Sequence, residues 1–137
     1  MKVMSVDYGD ARTGIAISDI MGVLASPLTV IKEDYQPKLV DKILSLAEEN
    51  KAEKIVIGLP RNMDGTYGYR CDECRALGEA LKEKMPSLQI FFEDERLTTV
   101  MAHNILSENN VRGKKRKDTV DAVSAVMILQ SYLDKSR

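Results

Sequence analysis

The sequence predicts an α/β fold, in which a mixed five-stranded sheet carries helices on both faces. The first third of the chain contains alternating apolar segments separated by short turns, which is typical of a hairpin meander. In the remainder, segments with a helical period alternate with two apolar runs, which is typical of α–β units. The order β-β-β-α-β-α-β-α-α therefore predicts one mixed sheet, with ligands gathering at the carboxyl ends of its parallel strands.

Alternation and turn residues predict the first three strands. Their ranges are Lys2–Asp7, Thr13–Ser18 and Ala25–Ile31. In the first strand, Val3, Ser5 and Asp7 lie on one face and the intervening residues on the other. A turn at 8–12 pairs the first two strands as a hairpin, and Met21–Gly22 turns the chain again.

Two helices that alternate with two strands are predicted in the middle of the chain. The first helix begins near Gln36, where Pro37 suits a first turn, and its apolar residues recur with a helical period. An apolar run between turn residues predicts a buried, parallel strand after it, and a polar loop follows that strand. The elements after the first helix are Lys54–Gly58, Tyr69–Met85 and Leu88–Phe92.

Two helices are predicted in the last part of the chain. Thr98 can cap the first, which ends at Asn109. The segment Val111–Lys117 is predicted to be a basic loop, after which Asp118 can cap the final helix. That helix is apolar nearly all round, which predicts that it is buried.

Length and composition predict one domain, residues 1–137, of a soluble globular protein. The chain has 44% hydrophobic and 30% charged residues. It contains no apolar stretch near the roughly 20 residues that span a bilayer, so no membrane association is expected. The N-terminus becomes polar at Asp7–Asp10, too early for a secretory signal peptide, so the expected location is the cytoplasm.

Three acidic residues are predicted to converge on one edge of the sheet. Asp7 ends the first strand, Glu95 follows the fifth, and Asp121 lies in the first turn of the final helix. Each has an ordinary alternative role: Asp7 in a turn, Glu95 in an ion pair with Arg96, and Asp121 at the positive end of the helix dipole. Together, however, carboxylates at strand ends repel one another unless a cation lies between them.

Asp121 is the strongest member of this trio. On a helix it shares a face with Ser124, Ala125 and Ile128, which are small or apolar, so that face should pack against the sheet. A carboxylate directed at a sheet is costly unless it has a partner, and a cation shared with Asp7 would be one.

Other acids compete for the site. Asp94 and Glu95 should point to opposite faces of the strand, so only one of them should bind the metal, and Glu95 is favoured. Asp10 and Asp19 are weaker candidates because both lie in turns, where acids are common.

The chemistry that this trio predicts is metal-assisted hydrolysis of a phosphodiester. Carboxylate ligands without histidine favour Mg²⁺ or Mn²⁺ over zinc. The one histidine, His103, rules out a credible Ser-His-Asp or Cys-His arrangement, and the sequence has no Walker phosphate loop.

A local positive charge beside the acids predicts contact with a phosphate backbone. The net charge is −1, so the whole molecule does not attract nucleic acid. The basic segment just before the helix of Asp121 contains Lys114, Lys115, Arg116 and Lys117, which are either a solvated surface or a nucleic-acid contact.

The two cysteines, Cys71 and Cys74, form a single C-x-x-C in a helical pattern. A zinc site would need a second pair, and no strand leads directly into them as in thioredoxin. They are predicted to be free thiols on one face of a helix.

Four ordered motifs, spanning nearly the whole chain, resemble the YqgF family, also called RuvX. They are Asp7–Asp19, Gly58–Thr66, Asp94–Thr99 and Lys117–Leu133. The resemblance implies a ribonuclease H-like fold and a nuclease related to RuvC-type Holliday junction resolvases. For bacterial members it implies maturation of the 5′ end of 16S ribosomal RNA precursor. It also implies an acidic site at Asp7, the Asp94–Glu95 pair and Asp121, with Arg12 and Arg96 as candidates to hold substrate phosphate.

Three alternatives remain open at this point. The substrate could be branched DNA instead of precursor rRNA, and a resolvase that cuts two strands symmetrically should be a homodimer, whereas an RNA-trimming enzyme could be a monomer. The fold could also serve as a catalytically silent RNA-binding or assembly module. An ATPase of the actin and sugar-kinase type shares the Asp-x-Gly hairpin, but it needs two such domains.

Overall fold

The computed structural model describes residues 1–60, 68–94 and 113–136, and for residues 113–121 it describes the backbone alone. Five strands and three helices are described in these ranges. The strands are β1 (Lys2–Tyr8), β2 (Arg12–Ser18), β3 (Ala25–Lys32), β4 (Ala52–Leu59) and β5 (Gln89–Asp94). The helices are α1 (Gln36–Glu49), α2 (Tyr69–Lys84) and α3 (Gly113–Lys135).

The sheet is mixed, as predicted, and its strand order is β3-β2-β1-β4-β5. β1 pairs antiparallel with β2, and β2 pairs antiparallel with β3, which forms the meander. β4 is parallel to both β1 and β5. The carboxyl ends of β1, β4 and β5 therefore lie at the same edge of the sheet.

Each face of the sheet carries its own hydrophobic core. Helices α1 and α2 cover one face, with a core that includes Met4, Val6, Ile43, Ile57 and Leu81. Helix α3 covers the other face, with a smaller core. Its buried members are Val3, Ala16, Val56, Ala125, Ile128, Leu129 and Leu133. Helices thus lie on both faces, as the sequence predicts.

The alternation predicted for β1 is confirmed. Met4 and Val6 belong to the core under α1 and α2. Val3 lies in the core under α3, and the Ser5 hydroxyl donates a hydrogen bond to the Ala125 carbonyl oxygen of α3. Because side chains alternate along a strand, Asp7 belongs to the face that α3 covers.

The start of the final helix differs from the prediction. Residues 113–117 were expected in a basic loop, with Asp118 as the cap, but α3 already begins at Gly113. Lysine and arginine are good helix formers, and no breaker separates them from the apolar residues that follow, so the helix extends through the charged run. Asp118 is therefore inside the helix and does not cap it.

Fewer residues of α3 are buried than expected. A stripe of small and apolar residues is buried against the sheet, whereas Val123, Val126 and Met127 are only half-buried. The helix thus presents one buried face to β1, β2 and β3, and its other apolar side chains lie at the margin of the second core.

The other described elements agree with the sequence within two residues at each end. The largest differences are two residues: β4 starts two residues before Lys54, and β5 continues two residues beyond Phe92, to Asp94. The helix predicted from Thr98 to Asn109 and most of the polar loop before α2 lie outside the described residues. No helix in the described ranges is long and apolar enough to cross a membrane.

Candidate functional site

The candidate site lies where β1 ends and β2 begins. Asp7 pairs across the hairpin with Gly14, and both positions belong to the face of the sheet that α3 covers. Arg12, two residues before Gly14 on β2, belongs to the same face and to the same edge of the sheet. Asp7 and Arg12 are both half-buried.

Contacts at two levels determine how α3 runs over this face. Gln130 accepts a hydrogen bond from the Ala25 amide and donates one to the Val23 carbonyl, at the end of the sheet where β1 starts. Further along β1, Ser5 Oγ lies 2.7 Å from the Ala125 carbonyl oxygen. Ser131 and Lys135 bind Glu93 on β5, so α3 spans the sheet from β3 to β5.

Position 121 lies one helical turn before Ala125. Four residues along a helix advance about 6 Å. The backbone at 121 therefore precedes the Ser5–Ala125 hydrogen bond by one turn, while Asp7 follows Ser5 by two residues, about 6.8 Å along β1.

The face of α3 predicted to pack against the sheet does so. Ser124, Ala125 and Ile128 are at most 1% exposed. The Asp121 side chain itself lies outside the described side chains, so its part in the site stays a prediction.

Ser124 leaves a polar atom unsatisfied in this region. Its hydroxyl oxygen is buried and has no hydrogen-bond partner among the described residues. Burying a hydroxyl without a partner is unfavourable, so a polar group or hydrated ion at this point would stabilise it. Ser124 is three residues after position 121, on the same face of the helix.

The acids of β5 divide between the two faces of the sheet. Phe91 packs on Tyr132, and Glu93 accepts a hydrogen bond of 2.7 Å from Ser131, so both face α3. Asp94 alternates with Glu93 and belongs to the α2 face. The strand pattern thus argues against Asp94 as the ligand, which was the predicted distinction, while Glu95 lies outside the described residues.

The predicted phosphate-binding cations are only partly described. Arg96 lies outside the described residues. Residues Lys114, Lys115, Arg116 and Lys117 lie in the first turns of α3, where the backbone alone is described. Position 113 precedes position 121 by eight helical residues, or about 12 Å along α3.

The two weaker acidic candidates have structural roles. Asp19 lies at the opposite end of the sheet, where its carboxylate accepts hydrogen bonds from the amides of Val23 and Leu24. These backbone hydrogen bonds lower its pKa. Asp10, in the β1–β2 turn, forms an ion pair of 2.8 Å with Arg70.

Arg70 is a residue beside the site, in contact with the neighbour of Asp7, that sequence reasoning missed. Its guanidinium donates to the Tyr8 carbonyl oxygen at 2.6 Å and lies 5.3 Å from the centre of the Tyr8 ring. The available signal was its place in the first turn of α2, where the helix dipole disfavours a cation and a carboxylate partner is needed. Asp10 and Glu73 are those partners.

Electrostatics around Arg70 are consistent with this arrangement. Burial lowers the pKa of the guanidinium, but Asp10 and Glu73 outweigh burial and raise that pKa above its usual value. Burial is the largest cause of the raised pKa of Tyr8, and the Glu73 carboxylate adds to it. Both side chains therefore keep their ordinary protonation state at neutral pH.

Cys71 and Cys74 form no disulfide and are buried on α2, which agrees with the predicted thiols on a helix. Within the described part of the chain, no three His, Cys, Asp or Glu side chains are grouped closely enough to hold a metal ion.

The family comparison matches almost the entire chain. The sequence model of a family described as "RuvX: Holliday junction resolvase" matches residues 1–135. A protein of Thermoanaerobacter pseudethanolicus is 41% identical over 138 residues, covering 100% of this chain and 99% of the relative. A protein of Lactococcus lactis subsp. cremoris is 38% identical over 135 residues, covering 97% and 94%. Both relatives are named as candidate pre-16S rRNA nucleases.

Solved structures with a similar fold include junction resolvases. Thermus thermophilus RuvC superposes with a TM-score of 0.59 at 12% identity, covering 99% of this chain and 96% of that one. Fowlpox virus resolvase, solved with Holliday junction DNA, superposes with a TM-score of 0.57 at 12% identity, covering 99% of each chain. Identity this low establishes the fold alone, and it confirms the ribonuclease H-like fold that the motifs predict.

Proposed function

Because the chain belongs to the RuvX family, we propose that it is a metal-dependent nuclease that hydrolyses phosphodiester bonds, with the 5′ end of precursor 16S rRNA as its substrate. The observation that carries this proposal is the match of the family model to residues 1–135, and it is supported by the packing of α3, the helix of Asp121, on the face of β1 to which Asp7 belongs. Full-length similarity to relatives named as candidate pre-16S rRNA nucleases supports the choice of substrate.

We propose Asp7, Glu95 and Asp121 as the ligands of Mg²⁺, with Mn²⁺ as a substitute. The residues present fit such an ion. Carboxylate oxygens are the donors that Mg²⁺ prefers, and the unsatisfied hydroxyl of Ser124 offers a hydrogen-bond partner to the water that Mg²⁺ commonly retains. Bound there, the metal would activate water and stabilise the charge of the leaving oxygen.

The protein's own residues would orient the substrate at this edge. Arg12, on the same face as Asp7, and Arg96, next to Glu95, are proposed to hold the phosphate on either side of the bond that is cut. The half-buried position of Arg12 supports this role, because a partly desolvated guanidinium interacts more strongly with phosphate than a fully solvated one.

The basic turns of α3 are proposed to bind the backbone outside the reacting bond. These cations lie in the first turns of α3, four to seven residues before Asp121: Lys114, Lys115, Arg116 and Lys117. A cationic helix start beside an acidic centre would bring a polyanion to the metal while the net charge of the whole molecule stays near zero.

Branched DNA is the second candidate substrate, since the matching family is described as a Holliday junction resolvase. A resolvase should act as a homodimer, whereas the rRNA nuclease could act as a monomer, and in both cases residues 1–137 would form a single domain working in the cytoplasm. A silent RNA-binding module is the third possibility, and retention of Asp7, Glu95 and Asp121 argues against it.

Side-by-side cleavage of two substrates tests the proposal. The full chain is incubated with Mg²⁺ and either a precursor 16S rRNA fragment that contains the mature 5′ end or a synthetic four-way DNA junction. We expect cutting of the RNA near the mature 5′ end and little cutting of the junction. Symmetric cutting of the junction alone would favour the resolvase, and binding of either substrate without cutting by the wild type would identify a silent module.

A further inference from the structure

One guanidinium, from the first turn of α2, connects the end of β1 to the middle of the β1–β2 turn. Arg70 Nη2 donates to the Tyr8 carbonyl oxygen at 2.6 Å, and Nη1 donates to Asp10 Oδ1 at 2.8 Å. Nη1 also donates to Glu73 on the same helix at 3.1 Å, and the guanidinium stacks on the Tyr8 ring. Tyr8 is the last residue of β1 and follows Asp7 directly.

The turn that Arg70 holds is tight. A Cβ at Gly9 would lie 2.3 Å from the Arg12 carbonyl oxygen, so the turn has no room for a side chain at position 9. Asp7 is paired with Gly14 just before the turn, and Arg12 follows just after it. A shift of the turn would therefore move both residues together.

Arg70 lies on the opposite side of the sheet from the candidate metal site. The Tyr8 side chain, on which it stacks, packs against the core under α1 and α2, whereas Asp7 belongs to the face of α3. Arg70 thus has no route to a substrate on the α3 face, and its influence on Asp7 passes through the backbone of Tyr8.

We propose that Arg70 is a positioning residue that holds the carboxyl end of β1, and with it Asp7, in the conformation that binds the divalent cation. This inference rests on the proposed function. The decisive contact is the hydrogen bond to the Tyr8 carbonyl, because the Asp10 side chain is 90% exposed and solvent screens its ion pair with Arg70. The Arg70 side chain is only 22% exposed, so its own contacts are less screened.

Lysine cannot replace this arginine. The planar guanidinium donates to Tyr8 and to Asp10 from two different nitrogens while its flat face lies on the ring. A lysine has one ammonium group and no planar face, so it would not hold Tyr8 and Asp10 together in the same way. Arg70→Lys keeps the charge but should lose the positioning effect.

Calorimetric titration of the full-length protein with Mg²⁺ tests the inference. The variants are Arg70→Lys and Arg70→Gln, and the control is Arg75→Gln, which removes another arginine from the same helix, 3.9 Å from Asp72. We expect both Arg70 variants to bind Mg²⁺ roughly tenfold more weakly than the wild type, about the effect of losing one charge-assisted hydrogen bond. The control should bind it unchanged.

A second readout separates positioning from general structural support. At saturating Mg²⁺ the cleavage rate of Arg70→Lys should return toward that of the wild type, and backbone amide NMR shifts at residues 7–10 should differ between the two free proteins. Unchanged Mg²⁺ affinity in folded Arg70 variants would overturn the inference and leave the proposed function intact. Loss of folding in both variants would also overturn it, by assigning Arg70 to stability. A wild type that binds no Mg²⁺ would overturn the proposed function itself and the inference with it.

Discussion

The hydroxyl of Ser5 and the carbonyl oxygen of Ala125 lie 2.7 Å apart in a hydrogen bond between residues 120 positions apart in the chain. Both residues are fully buried. The bond joins the central strand β1 to the final helix, two residues before Asp7 on the strand and four residues after position 121 on the helix.

Ser5→Ala should weaken this connection without unfolding the protein. Loss of one buried hydrogen bond costs about 1 kcal/mol in the free energy of unfolding, measured by urea denaturation. The exposed Ser26 on β3 provides a matched control, and Ser26→Ala should change stability by less than about 0.5 kcal/mol. Equal stability of the two variants would show that the Ser5 hydroxyl does not hold α3 in place.

Stability at acidic pH should depend on Asp19. Backbone hydrogen bonds lower the pKa of this carboxyl in the folded state below its ordinary value of 3.8. A lowered folded pKa means that the charged carboxylate stabilises the protein above the ordinary pKa, and that this stabilisation disappears as the pH falls through the folded pKa. Asp19→Asn should therefore be less stable than the wild type at pH 7, and the difference should shrink below pH 3.8.

Urea denaturation at several pH values measures this difference, with the exposed Asp34→Asn as the control. If the difference in the free energy of unfolding between wild type and Asp19→Asn stays constant from neutral to acidic pH, the charge of Asp19 is not the source of that difference.

Neutralising the basic turns of α3 should change how nucleic-acid affinity depends on salt. Each phosphate contact contributes about 0.7 to the slope of log affinity against log salt for a single strand. A triple glutamine variant of Lys114, Lys115 and Arg116 should therefore bind precursor rRNA more weakly and with a flatter slope. A triple glutamine variant on α1 and α2 is the charge-matched control, at positions Lys38, Lys42 and Lys84. Equal slopes for the two variants would identify the basic turns as solvated surface.

Local patterns predicted the sheet because side chains alternate between its two faces. Met4 and Val6 face one core and Val3 the other, whereas β4, buried on both faces, is a continuous apolar run. The packing of Ser124 and Ala125 against the sheet was predicted from the small and apolar face of one helix. These features depend on residues close together in sequence, so the sequence contains them.

Features that depend on distant partners were missed. Glu93 is disfavoured in a strand, yet β5 includes it because Ser131 and Lys135 bind its carboxylate from α3. Arg70 finds its main acceptor, the Tyr8 carbonyl, 62 residues away. Neither partnership has a local signature that marks the pair.

The charged start of α3 was missed for a different reason. A run of like charges suggests solvated loop, but the individual residues favour helix, and the sequence offers no rule for which tendency prevails. The contributions of Glu95, Arg96 and the Asp121 carboxylate remain predictions.

The central claim is that Asp7 and Asp121 bind the same cation, and a double-mutant cycle on Mg²⁺ affinity tests it most directly. The calorimetric titration compares the wild type, Asp7→Asn, Asp121→Asn, the double variant and the surface control Asp41→Asn. We expect each single change to weaken Mg²⁺ binding by roughly tenfold or more, and the double variant to bind little worse than either single one, because a shared site is lost only once. Two results would contradict a shared site. In the first, the losses of Mg²⁺ binding free energy in the two single variants add up in the double variant; in the second, the single variants bind Mg²⁺ as well as the control does.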